Sequence, residues 1–122
     1  MTPERVGINL DDARMADNSG ALRVEQVIVE GGPDAYFSTL PVKAMVEAMK
    51  AAGVPATVSY SAGTFVCNHI FYSMQHHLKG SAVKSGFMHV PLMDQQRVEF
   101  AGLPTMPLAQ MVAGVQAALK AI

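Results

Sequence analysis

Hydrophobic positions along this chain recur with two periods, and the change from one to the other marks its elements. In "ERVGINL" (4–10) Val6 and Ile8 fall on one face of an alternating run, which predicts a strand. "DDARMADNSGA" (11–21) is polar, and Asn18-Ser19-Gly20 is a strong turn signal. "LRVEQVIVE" (22–30) alternates again, Val24, Gln26 and Ile28 against Glu25, Val27 and Val29, and predicts a second extended segment. "GGPDAYFS" (31–38) reads as a loop, and its glycine run lacks the lysine and serine spacing of a phosphate-binding loop. The period then lengthens. "TLPVKAMVEAMKAAG" (39–53) places Val42, Met45, Val46, Met49 and Ala52 on one helical stripe, with Thr39 as cap, Pro41 in the first turn and Gly53 past the end. A short strand is expected over 55–61. A helix follows over 64–80, capped by Thr64 and ended by Gly80. A strand over 82–92 should stop at Pro91. The last helix, 107–122, carries Leu108, Met111, Val112, Val115, Ala118, Leu119 and Ile122 as its stripe.

From residue 39 onward helices and strands alternate. That order predicts an α/β protein whose mostly parallel sheet has helices on its faces. Length allows one domain, 1–122, and an apolar half with only 16% charged residues is a globular composition. A net charge of −1 without a basic run argues against a nucleic-acid partner. No apolar run approaches the about 20 residues of a membrane helix, and "MTPERVGINLDD" has no signal-peptide core. The single cysteine excludes an internal disulfide and fits a reducing, cytoplasmic setting. The nine methionines are expected to fill core space rather than hold a metal or cofactor.

That cysteine, Cys67, admits two readings. With Ile70 or Phe71, Met74 and Leu78 it shares a helix face, and free cysteine is among the most buried residue types. It also lies in the first turn of the helix that Thr64 would cap. There unpaired N–H groups and the positive dipole end stabilise a thiolate and can donate to an oxyanion. The strand–turn–helix context puts it at the carboxyl end of a strand, where open α/β sheets bind ligands. His89, near the end of its own strand, is the candidate base for such a thiol. His69, His76 and His77 follow Cys67 on its helix. They lack a third ligand of suitable spacing and read as a solvated face. For an orienting carboxylate Glu4, Asp11, Asp12, Asp17 and Asp94 all compete, and periodicity does not choose among them.

Three blocks carry a resemblance: "SAGTFVCNHIFY" around the cysteine, "SGFMHVP" around the histidine and "TPERVGINLDDARMADNSG" at the start. With "EGGPDAYFSTLPVKAMVEAMKAAGVPATVSYSAGTFVCNHIFY" between them, the chain resembles pyrrolidone-carboxylate peptidases (pyroglutamyl peptidase I) along essentially its whole length. The resemblance implies a three-layer α/β/α sandwich. It also implies a cysteine peptidase of the cytosol that removes N-terminal pyroglutamate from peptides without a metal or organic cofactor. Carried over by motif, Cys67 is the nucleophile, His89 the base and Glu4 the carboxylate. Glu4 belongs to "PERVGIN", with Gly7 where alanine is usual. The same comparison makes Arg14 a residue near the active site, and Phe65 and Met15 apolar walls for the lactam ring.

The chain departs from the family pattern at its start. A "GFDPFGG"-like loop and further strands would precede "PERV" in the family, and they are expected to supply sheet strands, a pocket wall and oxyanion donors. The expectation is therefore a pyroglutamyl peptidase of weak or no activity as given, the alternative being an inactive fragment that acts by association or has no role. The family's tetramer is a possible assembly.

Overall fold

A computed structural model describes residues 1–122. Strands and helices come in runs along the chain. They are β1 (Thr2–Pro3), β2 (Val6–Ile8), β3 (Ala35–Phe37), α1 (Val42–Ala51), α2 (Val66–His77), β4 (Met88–His89), β5 (Leu92–Met93), β6 (Thr105–Met106) and α3 (Leu108–Lys120), with a 3-10 turn at Asp94–Val98. By packing, the chain forms two compact units. One comprises Met1–Pro3, Pro41–Val58 and Met88–Ile122; the other, Glu4–Leu40 and Ser59–Phe87.

The first unit is held by apolar packing. Helices α1 and α3 pack together. Val42, Met45, Val46 and Met49 of α1 are buried, with Val54, Met106, Met111 and Ala118. Burying such a side chain contributes about 1.5–3 kcal/mol. On α3 Gly114 is also buried, and a side chain there would run into Met1 and Val54. Met1 is fixed in turn: its ammonium donates to the Pro55 carbonyl at 2.7 Å and its carbonyl accepts from the Thr57 N–H at 3.1 Å. Burial pushes that amine below its ordinary value. Strand β1 pairs antiparallel with β4, Thr2 opposite His89 and Pro3 opposite Met88. Strand β5 pairs in parallel with β6.

The second unit is held largely by polar side chains that serve backbone groups. Strand β2 pairs antiparallel with β3, Val6 opposite Phe37 and Ile8 opposite Ala35, and α2 packs on both. Gly7 permits the close approach: a Cβ there would lie 3.1 Å from a Phe71 ring carbon and 3.2 Å from the Tyr72 nitrogen. Asn68, fully buried, accepts from the Ile8 N–H at 2.9 Å and donates to the carbonyls of Ile8 and Leu10, each at 2.9 Å. Tyr72 donates to the Pro33 carbonyl at 2.7 Å and Gln75 to the Ser85 carbonyl at 2.8 Å. Glu4, also buried, forms a parallel bridge with Ser59.

Several expected elements differ. The run 22–30 is not a strand. Glu25 has φ 47°, which breaks the alternation, and the Ile28 and Val29 N–H groups go to the Asn9 side chain, each at 2.9 Å instead of to a neighbouring strand. The expected loop 31–38 contains β3, because Tyr36 and Phe37 suit the pleated surface beside β2. Of the strand expected over 55–61 only Ser59 bridges. The run 82–92 keeps only Met88–His89 before Pro91, and β5 starts beyond it. Neither threonine caps its helix. Thr39 accepts from the Ser85 N–H at 2.6 Å, and Thr64 donates to the Asp12 carbonyl at 3.1 Å. The helices start at Val42 and Val66 instead. Parallel pairing occurs at β5–β6 and at Glu4–Ser59, while the other two ladders are antiparallel.

Candidate functional site

Cys67 is the second residue of α2, a free thiol at intermediate exposure. Phe65 precedes the helix with extended backbone, and no side chain caps it. The first-turn N–H groups therefore keep the donor capacity of an uncapped helix start. Asn68 is buried on β2 and fixes the turn that bears the sulfur.

Beside this turn, within the second unit, lies a cleft of about 200 Å³. One side is Ala13, Met15, Asp17, Ala21 and Arg23, and the other is Thr64, Phe65, Val66 and His69, with Asp11 at the join. Phe65 and Met15, expected as walls for a lactam ring, thus line one cleft, at 44% and 64% exposure. Arg14 is exposed and is not among its lining residues. Glu4 is buried in the same unit, its N–H donating to the Phe87 carbonyl at 2.8 Å. His89 sits in β4 of the first unit, opposite Thr2.

The segment 11–26 that forms one wall folds back on itself. Asp11 and Gln26 exchange backbone hydrogen bonds of 2.7 and 2.9 Å, and the Ala13 N–H donates to the Arg23 carbonyl at 2.7 Å. Its outer turn is built on Asp17, whose carboxylate accepts from the Ser19 hydroxyl at 2.7 Å, the Ser19 N–H at 2.8 Å and the Ala21 N–H at 3.0 Å. These donors hold Asp17 below the usual carboxylate range, the Ser19 hydroxyl most strongly.

A charged cluster emerges that sequence reasoning missed. The Asp11 carboxylate is buried. It accepts from His69 Nδ1 at 2.9 and 3.1 Å and from Arg23 Nε at 2.5 Å. In the sequence Asp11 is one of five competing carboxylates and His69 part of an expected solvated face; the structure instead pairs them. The signal was hidden because residues 11, 23 and 69 are distant in sequence and belong to no periodic element in common. His76 is likewise engaged, its Nδ1 lying 3.0 Å from the Tyr36 hydroxyl. No group of three or more histidine, cysteine or acidic side chains is placed to hold a metal ion. No helix is long and apolar enough to cross a membrane.

By fold and cleft the chain is an α/β protein with a lone thiol in the first turn of a helix. The family model for pyroglutamyl peptidase matches residues 1–122, and the chain belongs to that family. It is 53% identical over 122 residues to a pyrrolidone-carboxylate peptidase of Aliivibrio fischeri, covering 100% of this chain and 57% of that protein. It is 52% identical to one of Cupriavidus necator, covering 98% and 56%. The crystal structure of pyroglutamyl peptidase I from Bacillus amyloliquefaciens superposes with a TM-score of 0.92 at 41% identity, covering 98% of this chain and 58% of that one. The pyrrolidone carboxyl peptidase from Thermococcus litoralis gives 0.92 at 37% identity, covering 98% and 58%. The α/β fold is therefore the family's, and the chain spans about half the length of the curated relatives it matches.

Proposed function

We propose that this chain carries the chemistry of a cysteine-type omega peptidase, which removes N-terminal pyroglutamate from peptides. The Cys67 thiolate attacks the acyl carbon of the pyroglutamyl residue. The new S–C bond forms as the amide C–N bond breaks, and the leaving amine takes the proton that His89 first accepted from the thiol. Glu4 orients the imidazole and balances its charge. Water then hydrolyses the thioester, releasing pyroglutamate and returning the proton to the sulfur. The uncapped first-turn N–H groups of α2 are the donors available to the oxyanion. Phe65 and Met15 offer apolar walls to an uncharged lactam, which suits such a cleft better than an ionised glutamate side chain does. Arg14, next in sequence to Met15, is assigned a place near the active site by its match to the family's motif.

The observation that carries this reading is the seating of Cys67. It lies in an uncapped helix start, directly after Val66 and two residues before His69, both of which line a largely apolar cleft, in a chain matched to the pyroglutamyl peptidase family from end to end. The test is release of a fluorophore from a pyroglutamyl amide by this chain and by Cys67→Ala. Turnover that disappears on substitution supports the reading, and equal background in both rejects it.

A second reading, slow turnover by these 122 residues alone, is favoured by the exposure of Met15 and Phe65. A ring held between two half-open walls binds weakly, because little of its surface leaves water. Rates rising linearly with substrate far beyond millimolar concentration support it, whereas saturation at micromolar substrate overturns it.

A further inference from the structure

The two walls of the cleft come from different parts of the chain, and the charged cluster sits where they join. On one side is the folded-back segment 11–26, and on the other the start of α2. Two connections tie them. The first is backbone-based: the Asp12 N–H donates to the Thr64 carbonyl at 2.8 Å and the Thr64 hydroxyl to the Asp12 carbonyl at 3.1 Å. The second is the pairing of His69, on α2, with both oxygens of Asp11, which Arg23 also holds from within the segment.

We propose that His69 is a positioning residue, a clamp that acts through Asp11 and Arg23 to set the spacing between the Met15 wall and the Phe65 wall. The inference rests on the peptidase reading for its ligand, a five-membered lactam, but not for the clamp itself. Three observations support it. First, a buried carboxylate is costly unless donors surround it, so Asp11 is stable only while His69 and Arg23 are in place. A carboxylate only accepts, so Nδ1 of His69 carries the proton that joins helix to segment. Second, Asp11 is the residue whose backbone closes the segment against Gln26, so a shift at Asp11 moves the base of the whole wall. Third, the other hydrogen bonds from this side are those of Thr64 to Asp12 and of Asn68 to Ile8 and Leu10, just ahead of the segment, so without His69 no side chain of α2 holds the segment itself and its wall is free to shift against the fixed helix. A loosened wall lets the cleft widen, and the contacts with a flat ring weaken steeply over a fraction of an ångström. The thiol, fixed separately through Asn68, stays where it is.

The test uses the full chain and three readouts: amide hydrogen exchange, affinity for the primary amide of pyroglutamate, and alkylation of Cys67 by iodoacetamide. In His69→Ala and Asp11→Asn, exchange at Asp11, Ala13 and Gln26 should quicken at least about tenfold. The Kd for the lactam amide, or the KM of a pyroglutamyl amide, should rise about tenfold, with kcat and the alkylation rate changed less than about twofold. His69→Asn puts an amide N–H near the place of Nδ1 and should restore affinity to within about threefold. Should His69→Ala fail to fold, Arg23→Gln removes the other arm from a half-exposed position and should give a smaller effect of the same kind, about threefold. Unchanged exchange in these variants overturns the clamp. So does a tenfold fall in alkylation at constant Kd, which would mean that His69 acts on the sulfur. If the unsubstituted chain binds no lactam amide, the peptidase reading fails and the clamp is judged by exchange alone.

Discussion

The two units of this molecule solve the problem of an interior in opposite ways. In the first, α1 and α3 bury aliphatic and methionine side chains against one another, and polar side chains pair mostly at exposed positions, Gln110 on the Gly53 carbonyl and Arg97 on the Thr105 hydroxyl among them. In the second, Asn68, Gln75, Asp11 and Glu4 are buried as well as Phe71 and Tyr72. Short strands explain the difference. A three-residue strand such as β2 leaves backbone groups that no neighbouring strand satisfies, and unpaired buried groups are costly. Asn68, Asn9 and Gln75 stand in for the missing ladder. Volume therefore matters most in one unit and hydrogen-bond identity in the other.

The largest effect that tests this contrast is at Asn68. Asn68→Leu keeps the volume but strands the Ile8 N–H and the Leu10 carbonyl and leaves the Ile8 carbonyl only its bond from the Leu10 N–H. It should destabilise by about 3 kcal/mol or more in urea unfolding. The matching substitution in the first unit, Met49→Leu at a fully buried site, should cost less than about 1.5 kcal/mol. Met49→Ala, which leaves a cavity, should cost about 2–5 kcal/mol. Equal losses for the two leucine variants would abolish the distinction.

A smaller effect is expected at Tyr72. Burial pushes its hydroxyl above the usual tyrosine value, and the charges of Tyr36 and Asp34 add to the shift. The folded state then favours the protonated form, so its contribution is complete below the unfolded value of about 10 and is lost as pH rises through the folded one. Tyr72→Phe should cost about 1 kcal/mol at neutral pH through the lost bond to Pro33. Between pH 9 and 11 the gap between the two proteins should narrow, and a constant gap would refute the account.

The smallest effect belongs to the Asp17 turn. Its carboxyl is held low by the Ser19 and Ala21 donors, so its contribution is present above the unfolded value of about 3.9 and disappears as pH falls through the folded one. The Ser19 and Ala21 amide resonances should report titration below that ordinary value. Asp17→Asn should remove the pH dependence, and its persistence in the variant would assign it to another group.

The same contrast decides how much could be read from the chain. Val42, Met45, Val46 and Met49 of the expected α1 stripe are its buried face, because burial there follows apolar spacing, while Ala52, at the helix end, is exposed. On α3 the stripe is rotated: Met111 and Ala118 are buried, but Leu108, Val112 and Leu119 are exposed, since the helix seats on Gly114, which no hydrophobicity pattern selects. On α2 the reading fails further. Ile70 and Met74 face solvent at 54% and 48%, while Asn68 and Gln75 are buried, because hydrogen-bond demand from β2 and from Ser85 outweighs hydrophobicity. The residues 22–30 alternate like a strand, yet Asn9 claims the Ile28 and Val29 N–H groups. The cleft was legible only in part. Phe65 and Met15 were expected there from family motifs, whereas the Asp11–Arg23–His69 cluster depends on folding back a segment whose sequence signals only turns.

Gly7 sets a dimension that no side chain could supply. Alanine, expected there from the resemblance, would put a methyl carbon closer to Phe71 and Tyr72 than ordinary van der Waals contact. Helix or strand would then have to yield by a few tenths of an ångström. A single hydrogen thus fixes how deep α2 rests on β2, and the thiol and imidazole it carries inherit their height above the sheet from the smallest substituent a backbone can bear.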